Sequence, residues 1–315
     1  MARGFEILLL VILLGAFGFS AHILWTNMHS REAIYQEYKS NESQDYGYLN
    51  NMSHQFYPNM RYKSNKISYN IEASCDEKKR EEVERAFNIL SEKTILEFYP
   101  ANGKGDIVVL CSELPKEKET EEKDHFIAGE GGASEVVNAT VFAIILEGKI
   151  YIYRDEKCEK PNVAIHEILH ALGFDHNNNT RSILYPVSNC EQEIDSYLID
   201  DINRLYSIES EPDLAIESIT ANRSGRYLNY VIKIGNYGLK ESKNATLKIY
   251  GEDEEIMRYD LGEIELGMKR ILTAQNIRLK RDYDSIRFVV ELKKGENDLN
   301  LMNNFAEIAV LEQAN

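Results

Sequence analysis

The chain has no dense run of Lys and Arg, no C-x-x-C pair, no internal repeat and only 4 cysteines in 315 residues. The missing basic runs, together with a net charge of −16, exclude nucleic-acid binding, which needs a basic patch. An acidic surface of this kind keeps a protein soluble. The missing C-x-x-C pair excludes a paired-cysteine metal or redox motif, and the missing repeat excludes a solenoid or propeller. What is present suits folded structure. Hydrophobic residues make up 43% and aromatics 10%, enough to bury real cores, and the length allows about two ordinary domains.

The N-terminus differs from the rest. Ile7 to Leu14 is unbroken apolar sequence, and apolar character continues to Trp25. About nineteen such residues span about 28 Å as a helix, close to the hydrocarbon thickness of a bilayer, with Trp25 placed for the far interface. Two readings of residues 1–25 stay open: an uncleaved transmembrane signal anchor, and a secretory signal peptide cut near Gly18-Phe19-Ser20. Both send the remaining chain out of the cytoplasm, either membrane-anchored or secreted. The four cysteines agree with that placement, being even in number and well spread. Of their three pairings, Cys75–Cys111 and Cys158–Cys190 are favoured, because each pair brackets a local unit; buried free thiols are the alternative. Six N-x-Ser/Thr sequons, beginning at Asn41, Asn51, Asn138, Asn178, Asn222 and Asn244, point the same way.

Residues 26–64 are polar and tyrosine-rich and read as a linker or stalk. Residues 66–73 alternate as a strand. Residues 77–98 carry apolar positions at Val83, Phe87, Leu90, Ile95 and Phe98, the spacing of an amphipathic helix. Ile107 to Cys111 is a short buried strand, so the order strand, helix, strand predicts a parallel pair with a right-handed crossover. Residues 115–124 are almost all charged and form a solvated loop, and His125 reads as a loop residue. Thr140 to Leu146 and Lys149 to Arg154 flank Glu147-Gly148 and read as a hairpin. Pro161-Asn162 opens a helix that Gly173 closes, and residues 193–206 form a last helix. Past Glu211-Pro212 only short alternating strands remain: Tyr227 to Ile234, Ala245 to Tyr250, Ile271 to Leu279 and Ser285 to Leu292. That is the signature of a β-sandwich.

Residues 166–176 read HEILHALGFDH. Helix positions four apart share a face, so His166 and His170 direct two imidazoles at one ion. Glu167 reaches a water on that ion, Gly173 ends the helix sharply, and His176 returns as a third ligand. Three protein ligands and one open position is the catalytic zinc pattern. With 7 His and 18 Gly in the chain, the extension beyond HExxH lowers chance occurrence by roughly a thousandfold.

This motif resembles that of the metzincin zinc metalloproteases, H-E-x-x-H-x-x-G-x-x-H followed by a Met-turn, and further residues are most similar to the matrixin branch. Ser182-Ile183-Leu184-Tyr185-Pro186 resembles the matrixin S-x-M-Y-P turn, and the segment from Asp200 to Tyr206 is similar to the end of the matrixin last helix. The resemblance implies an α+β metzincin-like domain at 65–208, with a twisted mixed sheet and long helices. It implies one catalytic Zn2+ on His166, His170 and His176, and Glu167 as the general base for a zinc-activated water. A polypeptide substrate would lie extended along an edge strand, placed at Thr140 to Leu146 by analogy, with Tyr185 and Pro186 walling the pocket after the cut. The Met-turn position holds Leu184, of similar volume, and no cysteine precedes Cys75, so the matrixin thiolate latency is not available. Residues 212–315 resemble CARDB modules, immunoglobulin-like sandwiches of prokaryotic surface proteins. The residues that carry this are Pro212-Asp213-Leu214, the run from Ile234 to Gly238, Leu261-Gly262-Glu263-Ile264 with Gly267, and Asn303-Asn304. That implies a cell-surface partner or a role in substrate presentation. The chain is thus expected to be a membrane-anchored or secreted zinc endopeptidase. The competing reading is a catalytically inactive zinc-binding surface or adhesion protein that keeps the metzincin fold.

Overall fold

A computed structural model of the chain describes residues 11–22, 33–40, 54–112, 128–139 and 141–309. Residues 11–22 are helical and exposed. Among the described residues no helix is long and apolar enough to cross a membrane; the rest of the expected span, Trp25 included, lies outside them, as do the charged loop at 115–124 and His125.

The first unit is built on a sheet of β3 (Met60–Tyr62), β4 (Lys66–Ile71), β5 (Glu97–Pro100), β6 (Ile107–Cys111), β7 (Gly129–Asn138) and β8 (Ala143–Ile152). The order runs β5–β4–β6–β8, with β3 beside the first half of β8 and β7 along its other side. Every pairing is parallel except β7 with β8. Helix α1 (Glu77–Lys93) starts at Asp76, whose carboxylate caps the Lys79 amide at 2.9 Å. It buries Val83, Ala86, Phe87 and Leu90 against the sheet. It ends earlier than its apolar spacing suggests. The Thr94 hydroxyl donates back to the Leu90 carbonyl at 2.7 Å, and Phe98 sits instead on β5, its ring 4.9 Å from that of Phe87.

Glu147-Gly148 is not a turn. Both residues lie inside the continuous strand β8, and the hairpin partner of β8 is β7. Gly148 is glycine because the Tyr62 hydroxyl crosses over it to donate to the Ala171 carbonyl at 3.1 Å, and a β-carbon there would collide with that hydroxyl. Glu147 is instead held by Lys104 and by Lys149 at 3.0 Å.

The second unit is a β-sandwich. One sheet holds β9 (Leu214–Ser224), β10 (Tyr227–Asn236) and β13 (Lys269–Arg278); the other runs β12 (Glu254–Ile264), β11 (Ser242–Gly251), β14 (Ser285–Leu292), β15 (Phe305–Ala309). Inward positions such as Ile216, Ile232, Leu247, Ile249, Phe288 and Ile308 fill the space between them. The expected linker at 26–64 is partly structural. Within it, β1 (Ala33–Ile34) and β2 (Tyr38–Lys39) pair with β9, and Tyr35 is buried with its hydroxyl donating to the Tyr283 carbonyl at 3.2 Å. Two-residue strands carry too little alternation to be read from sequence.

The two units share packing. Leu239 belongs to the core of the first unit, and Leu266 and Leu299 lie against that core. Arg61 on β3 is buried and donates to the Leu205 and Ile208 carbonyls at the end of α3 (Ser196–Tyr206), which ties that helix to the sheet.

Candidate metal centre

Helix α2 (Asn162–Ala171) is buried along its whole length, wedged against β7, β8 and α1. Its sequence is apolar all round apart from Asn162, His166, Glu167 and His170, as a fully buried helix requires. Gly173, at φ +97°, reverses the chain; a β-carbon there would stand 2.7 Å from Met60 Cγ, so both the turn and the space demand glycine. The reversal brings His176 back over α2.

The three expected ligands come together. The Nε2 atoms of His166 and His170 are 2.9 Å apart, those of His166 and His176 3.2 Å, and those of His170 and His176 3.1 Å. A tetrahedral ion with nitrogens at about 2.0–2.1 Å spaces its donors by about 3.3 Å, so one ion fits this triangle. The far nitrogens are fixed as well. His166 Nδ1 donates to the Ile183 carbonyl at 2.6 Å and His170 Nδ1 to the Phe174 carbonyl at 2.7 Å. A carbonyl only accepts, so the proton sits on Nδ1 and Nε2 presents its lone pair inward. Burial, with His170 close by, depresses His166 to about 3, and burial lowers His170 also. Both are therefore neutral at pH 7, the form that binds metal. Among the described residues this is the one group of three or more His, Cys, Asp or Glu side chains able to hold a metal ion.

Glu167 lies between α2 and β7. A β-carbon on Gly129 would stand 2.7 Å from Glu167 Cγ and 2.8 Å from its Oε1, and one on Gly131 would collide with the Glu167 carbonyl oxygen. Burial lifts the Glu167 carboxyl to about 8, with Glu130 adding to the shift; a cation on the triad acts in the opposite direction. Glu130 in turn accepts from the Tyr153 hydroxyl at 2.9 Å. None of Gly129, Glu130, Gly131 and Tyr153 stood out from sequence, although a Gly-Glu-Gly-Gly run within a strand is itself a sign of close backbone approach.

The turn at 182–186 supports the triad from below. Leu184 is fully buried, Tyr185 is half-buried and Pro186 is exposed. The Ser182 hydroxyl is shared among Asn177 Nδ2 at 2.6 Å, the Leu184 amide at 3.1 Å and the Asp195 carboxylate, while Asn177 also donates to the Tyr197 hydroxyl at 2.7 Å. This network joins the third-ligand loop, the turn and the start of α3. Disulfides Cys75–Cys111 and Cys158–Cys190 are formed as paired above; the second clasps the approach to α2 to the chain beyond the turn.

The expected edge strand is corrected. Thr140 lies outside the described residues, and residues 143–146 belong to β8, which is flanked by β3 on one side and β7 on the other. Their continuous apolar run reflects burial on both faces. The edge next to the triad is β7: among the described residues no strand pairs with its outer side.

Residues 59–208 match the matrixin family model, so this stretch is matrixin-like. The macrophage metalloelastase of Oryctolagus cuniculus is 28% identical over 160 residues, which cover 47% of this chain and 33% of that protein. The chain thus spans about a third of the length of the curated relative it matches. Among solved structures, the CARDB domain of a Pyrococcus furiosus protein, crystallised in complex with di-metal ions, aligns at 18% identity with a TM-score of 0.27, covering 32% of this chain and 88% of that one.

Proposed function

We propose that this matrixin-like chain is a zinc-dependent endopeptidase that works outside the cytoplasm, held to a membrane through its N-terminal segment or secreted. The observation that carries the reading is the triangle of three Nε2 atoms with Glu167 beside it, next to an edge of β7 on which no strand pairs among the described residues.

The histidines would hold the zinc, their Nδ1 bonds to Ile183 and Phe174 fixing ring orientation in advance. Bound there, zinc acidifies a water and polarises a carbonyl. The peptide adds as an extended strand along the outer edge of β7, whose backbone groups pair with it and fix the scissile bond above the triad. Glu167 accepts the proton of the attacking water and returns it to the departing amine nitrogen. Tyr185 and Pro186 wall the pocket that takes the side chain after the cut. Leu184 replaces the customary methionine as an apolar floor and makes no demand on polarity. The outside location rests on the two disulfides, which persist in oxidising compartments. The C-terminal sandwich, read as immunoglobulin-like, would hold a cell-surface partner or present substrate.

The test uses the full chain expressed under oxidising conditions. One zinc per chain and casein cleavage are expected, with cleavage lost to a chelator and reduced at least about a hundredfold in Glu167→Ala, which still binds zinc. Zinc binding without cleavage of any unfolded protein would favour the inactive scaffold. A folded chain that takes up no zinc would sink the reading.

A further inference from the structure

The outer edge of β7 leads from the histidine triad to the C-terminal sandwich, and we propose that residues 266–271 of the sandwich form an exosite for the upstream part of an extended polypeptide substrate. The inference rests on the peptidase reading above and names a second place where the same substrate is held.

The two ends of β7 have different neighbours. At the start, Gly129 and Gly131 lie against Glu167. At the far end the sandwich arrives: a β-carbon on Gly267 would stand 3.1 Å from Val137 Cγ1 and 3.3 Å from the Asn138 carbonyl oxygen. Gly267 has φ +70°, so the loop turns at this contact. Leu266 anchors it on the core of the catalytic unit. A strand laid along β7 therefore runs from the metal centre onto the sandwich.

The loop and strand it meets carry two exposed apolar side chains. Met268 is 57% exposed and Ile271 64%. Single exposed apolar residues are ordinary, but Met268 follows directly on the Gly267 contact with β7 and Ile271 lies in β13 just beyond it, so the loop that meets the substrate edge offers two apolar side chains. The two cations between Met268 and Ile271 are directed elsewhere. Lys269 pairs with Glu217 at 2.5 Å and lies over the Tyr237 ring, and Arg270 donates to the Glu263 carbonyl at 2.8 Å. The chemistry on offer thus suits an apolar side chain, not an acidic one.

Register sets which part of the substrate reaches it. Antiparallel pairing is the more stable arrangement per residue, and it lays the N-terminal side of the substrate along the C-terminal half of β7. From Gly131 to Val137 the strand advances about 20 Å at about 3.3 Å per residue. An apolar residue about six to eight positions before the scissile bond therefore lands on the exosite.

The experiment uses the zinc-loaded full chain and a set of peptides sharing one cleavable segment. One ends about four residues upstream of the bond, one extends to about ten with leucine at the exosite positions, one carries serine there, and one is extended on the C-terminal side instead. The leucine-extended peptide is expected to gain about tenfold in kcat/KM over the short one, chiefly through KM, and to bind more tightly to Glu167→Ala by fluorescence anisotropy. In Met268→Asp/Ile271→Asp the long-to-short ratio falls to about one. Equal constants for all peptides, a gain that survives the double variant, or a gain from the C-terminal extension alone would overturn the exosite while leaving the peptidase intact. Failure of the wild type to cut any peptide would overturn the peptidase reading, and the exosite with it.

Discussion

Gly131 has no room for any other side chain. The first substituent carbon would collide with the Glu167 carbonyl oxygen, backbone that cannot swing aside. Gly131→Ala must therefore push β7 off α2 at the point where Glu167 and the proposed substrate edge meet. The expected result is a loss of about 1–3 kcal/mol in stability and a fall in kcat/KM of at least about tenfold, with zinc still bound, because the ligands do not move with β7. Thermal unfolding, bound zinc and peptide cleavage measured side by side check it; unchanged cleavage would mean that β7 is not the substrate edge. The ligands themselves were legible because HEILHALGFDH needs only one helix and one glycine turn to bring them together. The reason for Gly131 was not, since the group that excludes a side chain lies on α2, 36 residues further along the chain.

The elements around the centre repeat that lesson. Glu147-Gly148 reads as a turn because glycine after an acidic residue usually marks one, yet Gly148 answers to Tyr62 and Ala171, neither near it in sequence. Local patterns show helix faces and strand alternation; they do not show which strand lies at an edge, and so residues 143–146 read as an edge although β8 is flanked on both sides and the edge beside the triad is β7. The cysteine pairs were more legible, because each pair closes a short, compact stretch. Cys158–Cys190 spans 32 residues, and all three histidines of the triad fall inside. Loop closure of that length contributes about 3–4 kcal/mol. Replacing both cysteines by serine should lower the thermal midpoint and loosen zinc in a chelator competition. Removing Cys75–Cys111, which spans 36 residues without a ligand, should cost similar stability and leave zinc affinity nearly unchanged. Equal loss of zinc in both variants would show that the clasp acts on the fold and not on the site.

At the scale of the molecule, the chain is laced between its two units, not strung as two beads. Residues 33–40 add β1 and β2 to the sandwich sheet before the chain enters the sheet of the first unit at β3. The sandwich returns Leu239, Leu266 and Leu299 to the core of the first unit. Lys63 and Glu241 meet across the junction at 3.9 Å, an exposed pair of little energetic weight. The leucines should therefore carry the coupling, and Leu239, with none of its surface exposed, most of all. Leu239→Ala is expected to cost about 2–4 kcal/mol. Although residue 239 lies in the C-terminal half of the chain, the loss should appear in the unfolding of the catalytic unit, read as an earlier release of zinc on heating. Ending the chain at residue 210 should lower that transition further, since all three leucines and the β9 partner of β1 and β2 go at once. If the zinc-release temperature of the catalytic unit is the same in wild type, Leu239→Ala and the truncated chain, the shared core is a contact without consequence and the two units fold independently.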